Sequence, residues 1–205
     1  MKIGVLGGTF DPVHLGHIMM AEEARKSLGL TEVLLVPAGQ PMTRSNERLA
    51  SAEHRLQMLR LAVAGRSYLK VSTVEIDRPG PSYTVDTITE LRRQHEVKDE
   101  IFFILGCDSL AQLPIWREPA RIISMCILVA VPRPGWPKPS MKALETDIPG
   151  ISKRVIFLEK PNVDISATSI RERVAQGETI DRLVPGAVAD YIKKHGLYQV
   201  EQEVK

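Results

Sequence analysis

The sequence predicts an α/β fold built on a doubly wound parallel sheet with short C-terminal helices. Three observations predict it. Short, almost wholly apolar runs rich in Val, Ile and Leu recur along the chain, the pattern of parallel strands buried on both faces. The first two runs are separated by a segment with apolar residues at helical spacing and lie at crossover distance, which makes a βαβ unit. The first strand enters its helix through a glycine-bearing turn, the kind of junction where a helix start can meet an anion.

The first strand is Lys2–Leu6, and Ile18–Leu28 continues as a helix. Between them Gly7 and Gly8 permit a tight turn and close backbone approach, so amides at the helix start can face an anion such as a phosphate, and Pro12 stiffens the turn. His14 and His17 lie three apart at that helix start, which puts both imidazoles on one face, with Gly16 leaving room between them. Such an imidazole can donate to a phosphate oxygen or, as a cation, offset charge developing on a leaving group. The alternatives are a solvated helix face or a metal site. A zinc site would need further ligands, and His54, His95 and His195 are scattered with no spacing that closes one.

Glu32–Pro37 is the second strand, and the polar loop Ala38–Arg48 follows it at the carboxyl end of the sheet, where ligands bind. Ser51 opens a helix whose Leu56, Leu59 and Val63 share a face. Leu69–Val74 gives the third strand, Pro79-Gly80-Pro81 breaks the chain, and Ser82 is the expected N-cap of a helix running through Leu91. Glu100–Leu105 is the fourth strand and ends in Gly106-Cys107-Asp108; a carboxylate there can accept hydrogen bonds from ribose hydroxyls, cap the next helix, or do both. Trp116 and Arg117 form an aromatic and cationic pair, whereas Trp136, in the loop Pro132–Pro139, reads as a surface or interface residue.

Ile127–Val131 and Val155–Leu158 are the last two strands, separated by a stretch whose Pro and Gly content forbids a regular element over much of it. In Asp164-Ile165-Ser166-Ala167-Thr168-Ser169-Ile170-Arg171 a second helix start presents amides and the hydroxyls of Ser166, an N-cap candidate, and Thr168. Arg171 near the first turn adds a planar cation. The bland reading is a capped helix with a solvated arginine. Pro185 begins a final amphipathic helix to His195, which ends at Gly196.

Composition bounds what this framework can do. At 205 residues with 43% apolar content, the chain suits one domain over 1–205 with a C-terminal helical part over about 165–198. Lys and Arg number 27 against 25 for Asp and Glu, which gives no reason to expect nucleic acid as a partner. No stretch is long and apolar enough to span a bilayer, and the N-terminus enters a strand without a signal-peptide pattern, so a cytoplasmic location without membrane association is expected. Cys107 and Cys126 then read as reduced, buried thiols rather than a redox pair or zinc ligands. The sequence leaves oligomeric state open, a homo-oligomer included.

Gly8-Thr9-Phe10-Asp11-Pro12-Val13-His14-Leu15-Gly16-His17 resembles the signature of the HxGH nucleotidyltransferases, and Ile165–Arg171 resembles their second motif, Ile-Ser-x-Thr-x-x-Arg. Ser82-Tyr83-Thr84-Val85-Asp86-Thr87 is similar to the nicotinate mononucleotide adenylyltransferases among them. The resemblance covers almost the whole chain. It implies a Rossmann-like fold that transfers AMP from ATP to nicotinate mononucleotide by direct in-line attack with no protein nucleophile. His14, His17 and Arg171 would stabilise charge, and Gly7, Gly8, Thr9, Phe10, Gly106, Asp108, Ile165, Ser166 and Thr168 would bind ATP. In the second substrate site Tyr83 and Thr84 would hold the pyridine nucleotide, Thr84 meeting its carboxyl group, Trp116 beside Arg117 would stack on the ring, and Arg133 would approach the mononucleotide. Gln40–Arg44 resembles a family segment ending in Pro-His-Lys, from which Met42 and Thr43 depart; Arg44 would either supply a cation to the phosphates or stand as a solvated arginine. Mg2+ is implied on the ATP phosphates, with no protein metal ligand assigned. Two rival readings share these motifs: a nucleotide sensor without turnover, and a transferase acting on another phosphomonoester such as phosphopantetheine. The first has no need for the histidines and Arg171 to converge on one phosphate chain. Against the second, Tyr83, Thr84 and Trp116 favour a flat aromatic substrate.

Overall fold

The computed structural model describes residues 1–41 and 49–199. Six strands, β1 (Lys2–Gly8), β2 (Glu32–Pro37), β3 (Leu69–Val71), β4 (Glu100–Gly106), β5 (Ile127–Val131) and β6 (Val155–Phe157), form one sheet in the order β3-β2-β1-β4-β5-β6. Every neighbouring pair is parallel. The helices are α1 (Leu15–Leu28), α2 (Ala52–Val63), α3 (Thr84–Gln94), α4 (Cys107–Ala111), α5 (Pro119–Met125), α6 (Met141–Asp147), α7 (Ala167–Ala175) and α8 (Gly186–Lys194).

The period-two alternation of the strands divides the core in two. Val33, Leu35, Phe102, Ile104 and Val129 point to one face, where they meet Ile18 and Ala21 of α1, Met58 and Leu59 of α2, Ile170 of α7 and Val188 and Ile192 of α8. Ile3, Val5, Val36, Ile101, Phe103 and Leu128 point to the other, against Val85 and Ile88 of α3, Leu110 of α4, Ile122 of α5 and Leu144 of α6. Both faces are therefore covered, as the continuous apolar runs require. The chain leaves β1 towards β2 on one side and reaches β4 on the other, so the loops after β1 and β4 diverge and open a crevice at the carboxyl ends of the strands.

Several local expectations change. β1 runs on through Gly7 and Gly8, so the chain turns at Asp11 and Pro12 and not at the glycines, and α1 already begins at Leu15. Gly106, not Asp108, is the N-cap of α4. β3 ends at Val71 rather than Val74, because the chain turns at once into a bend closed by Thr73, whose hydroxyl meets Asp77 Oδ2 at 2.6 Å and whose carbonyl accepts the Asp77 N–H at 2.9 Å. β6 ends at Phe157, one residue short of Leu158. Ser82 is not the N-cap of α3; Tyr83 occupies that place, and the Ser82 hydroxyl instead accepts the Gly39 N–H at 3.0 Å, pinning the end of β2 to the start of α3. Gly39 is required there, since a Cβ would collide with the carbonyl oxygen of Glu75. Within the stretch expected to be mostly irregular, Ser140 caps α6 by accepting the Ala143 N–H at 3.3 Å. Cys107 and Cys126 are free and buried, and burial pushes the Cys126 thiol up to about 12, which leaves it inert as a nucleophile. Among the described residues no helix is long and apolar enough to cross a membrane.

Candidate active site

The site is built around the start of α1. His14 occupies the N-cap with extended backbone (φ −139°, ψ 169°), and the His17 Nδ1 accepts the His14 N–H at 3.2 Å. An imidazole that accepts through Nδ1 carries its proton on Nε2 when neutral, so His17 retains one donor. The two rings stack with centroids 3.6 Å apart and 22° between planes, and Phe10 packs edge-on against His17 at 4.8 Å. Gly16 permits this stack, because a Cβ there would stand 3.0 Å from His14 Nδ1.

Burial, then the Arg133 guanidinium, pushes His14 down from its usual 6.5 to about 4. His17 is held well below its usual value by burial first, then by His14 and Arg133. Of the two alternatives, neutral donor and cation, the stacked and buried arrangement favours the neutral form of each imidazole. Folding stability should follow. Below pH 6.5 the unfolded chain takes up a proton on His14 while the folded chain does not until about 4. The unfolding free energy therefore drops by about 1.4 kcal/mol per pH unit through that window. Thermal unfolding followed from pH 6.5 down towards 4 should show a shallower decline in His14→Asn than in the wild type, and parallel declines would contradict the assignment.

An open cavity of about 280 Å³ lies over this stack. Its wall takes Gly7 from the end of β1, Gly106 and Asp108 from the β4–α4 junction, Arg133 after β5, Trp116, and Ile165, Ser166 and Thr168 from the start of α7. Ser166 caps α7 as expected, accepting the Ser169 N–H at 3.1 Å, and its hydroxyl hydrogen remains available to a ligand. The Asp108 carboxylate accepts from Arg133 Nη1 at 2.8 Å across the mouth. Arg171 stands behind Thr168 rather than on the wall: Nη2 donates to Thr168 Oγ1 at 3.4 Å and Nη1 to the Asp11 carbonyl at 2.8 Å.

Other candidates fall outside the cavity. Phe10 is 1% exposed and belongs to the core. The carbonyls of Gly8 and Thr9 are engaged by the Ala38 N–H at 2.9 Å and by Arg55 Nη1 at 2.9 Å. Tyr83, Thr84 and Arg117 are not on the cavity wall that Trp116 joins. Tyr83 and Trp116 pack on the same core cluster, Thr84 opens α3, and the Arg117 guanidinium lies 4.7 Å over the Tyr83 ring and 3.7 Å from Asp86. Trp136 is half-exposed, as its loop suggested. Arg44 lies outside the described residues.

The supports of the turn after β1 leave no local mark in the sequence. Arg55 is buried and donates to the carbonyls of Thr9, Ala38, Gly39 and Ala50 at 2.7 to 3.3 Å, tying the turn after β1 to the end of β2. Asp11 is likewise buried, with Oδ1 accepting the Ala50 N–H at 3.1 Å and the Tyr198 hydroxyl at 2.7 Å. Arg55 carried no signal, because an arginine on an amphipathic helix reads as solvated. Among the described residues no group of three or more His, Cys, Asp or Glu side chains could hold a metal ion, and the cavity's Asp108 is paired with Arg133.

Residues 5–173 match the family described as Cytidylyltransferase-like. The chain is 47% identical over 198 residues to a probable nicotinate-nucleotide adenylyltransferase of Dehalococcoides mccartyi, with 97% of each chain covered. It is also 47% identical over 197 residues to a probable nicotinate-nucleotide adenylyltransferase of Roseiflexus sp., covering 96% of this chain and 98% of that one. A solved structure of Plasmodium falciparum nicotinic acid mononucleotide adenylyltransferase complexed with NaAD superimposes with a TM-score of 0.78 at 19% identity, covering 96% and 97% of the two chains. At that identity it supports the fold alone.

Proposed function

This chain belongs to the Cytidylyltransferase-like family, and from that premise, with its nicotinate-nucleotide adenylyltransferase relatives, we infer that it transfers AMP from ATP to nicotinate mononucleotide. The products are nicotinate adenine dinucleotide and pyrophosphate, a step of NAD biosynthesis. One observation carries the reading: the helix starts of α1 and α7, far apart in sequence, face a single cavity whose other walls supply Asp108 and Trp116.

The proposed reaction is an in-line displacement. An oxygen of the mononucleotide phosphate forms a bond to the α-phosphorus of ATP as the bond to the pyrophosphate oxygen breaks, and the electron pair leaves with pyrophosphate. A phosphate monoester is already anionic at neutral pH, so no general base is required. Holding both substrates in line supplies roughly 7 to 11 kcal/mol of the barrier. The neutral His17 donates through Nε2–H to a phosphate oxygen, and the amides at the two helix starts add their dipoles. Arg171 holds a positive charge next to Thr168. Asp108 accepts from ribose hydroxyls, and its link to Arg133 brings that guanidinium to the mononucleotide side. Magnesium would enter as part of the ATP substrate, with no protein ligand assigned to it, and would supply charge to offset that of the leaving pyrophosphate.

Substrate choice is assigned to Trp116 and the start of α3. N–H groups at the start of α3, near Thr84, only donate, so a pyridine carboxylate satisfies them, whereas a carboxamide turns an NH2 group towards a donor. Wild-type protein should therefore favour nicotinate over nicotinamide mononucleotide in kcat/KM. Trp116→Ala should raise KM for both by similar factors, about tenfold for a lost stacking partner, with KM for ATP unchanged. Equal use of the two mononucleotides, or a Trp116→Ala defect confined to ATP, would overturn this assignment.

A further inference from the structure

The turn after α8 reaches back to the active site. Gly196 (φ 60°) and Tyr198 (φ 64°) both take left-handed backbone, an uncommon conformation for a tyrosine. The turn delivers the Tyr198 hydroxyl to Asp11 Oδ1 at 2.7 Å, 187 positions away in sequence. The Ala50 N–H donates to the same oxygen at 3.1 Å. Two donors on Oδ1 fix the plane of the carboxylate and turn Oδ2 the other way. Oδ2 is buried, has no hydrogen-bond partner among the described residues, and faces Arg171 Nη1 at 3.9 Å. That same Nη1 donates to the Asp11 backbone carbonyl at 2.8 Å. Asp11 is thus gripped from one side by Tyr198 and Ala50, and it holds Arg171 from the other through a carbonyl and a carboxylate.

We propose that Tyr198 is a positioning residue for adenylyl transfer: by orienting Asp11 it sets the place of the Arg171 guanidinium behind Thr168, so the C-terminal turn forms part of the catalytic apparatus. The inference rests on the functional reading above, in which Arg171 stabilises the transferring phosphate. Burial first, and then the Asp11 carboxylate, hold the Tyr198 phenol well above its usual value, so its O–H remains a donor wherever the enzyme is folded. Tyr198 also packs at the edge of the core, which is why its role must be separated from a merely structural one.

Tyr198→Phe keeps the ring and removes only the donor. It should lower kcat by about tenfold, leave KM for both substrates within about twofold, and keep the unfolding midpoint near that of the wild type. The decisive readout is the double variant with Arg171→Ala. If Tyr198 acts through Asp11 on Arg171, adding Tyr198→Phe to Arg171→Ala costs less than about twofold further. Wild-type kcat in Tyr198→Phe, or losses that multiply in the double variant, would overturn the proposal. If Tyr198→Phe fails to fold, Tyr198→Leu, which keeps an apolar side chain at the core edge but likewise loses the donor, takes its place in the same cycle with the same expectations. Wild-type protein with no turnover would refute the functional reading itself and this inference with it, whereas an active wild type beside an unimpaired Tyr198→Phe refutes this inference alone.

Discussion

Arg171→Ala is expected to lower kcat by about a thousandfold, the range seen when an arginine that stabilises a transferring phosphoryl group is supplied or withheld. The expectation follows from placement. Arg171 is largely buried, so its charge is poorly screened, and it is fixed by Asp11 on one side and Thr168 Oγ1 on the other. Thr168 lies on the cavity wall, so a phosphate bound at the start of α7 comes within reach of the guanidinium. Arg171→Lys keeps the charge but loses the planar fork and should recover only part of the rate. Because Arg171 also faces the buried Asp11 carboxylate, the alanine variant should melt at a lower temperature as well. Steady-state kinetics on folded protein separate the two effects, and a kcat within about tenfold of wild type would remove Arg171 from the chemistry.

His17→Ala should cost about a hundredfold or more in kcat, as loss of a preorganised donor to a developing charge does. The hydrogen bond from the His14 N–H to Nδ1 commits the neutral ring to a single donor, Nε2–H, and stacking on His14 holds that ring still. Little of this depends on ground-state binding, so KM for ATP should change far less than kcat. Near-wild-type turnover, or a defect confined to KM, would contradict the role.

Much of this was legible in the chain. The strands announce themselves because a parallel sheet covered on both faces needs unbroken apolar runs, and Ile127–Val131 could hardly be anything else. The two helix starts that face the cavity were legible because glycines, histidines and hydroxyls at fixed spacing leave a dense pattern. Other features resist reading from sequence because they depend on distant partners. Ser82 looked like a cap, yet it serves Gly39, 43 residues away. Whether His14 and His17 serve as donors or cations is open in the sequence, because the stacking and burial that lower both below the usual imidazole value come from the fold. Arg55 and Asp11 turn inward to carbonyls and a hydroxyl that no local pattern foretells. α6 was hidden by the prolines and glycines on either side of its seven residues.

The central claim is that two helix starts converge on one cavity to join ATP and nicotinate mononucleotide. The most direct test is to incubate the purified protein with ATP, magnesium and nicotinate mononucleotide, identify the dinucleotide by mass, and measure pyrophosphate alongside it. The expected products are nicotinate adenine dinucleotide and pyrophosphate in equal amounts, both abolished together when the mononucleotide is omitted. ATP bound without dinucleotide formation, or pyrophosphate released without the mononucleotide, would contradict it.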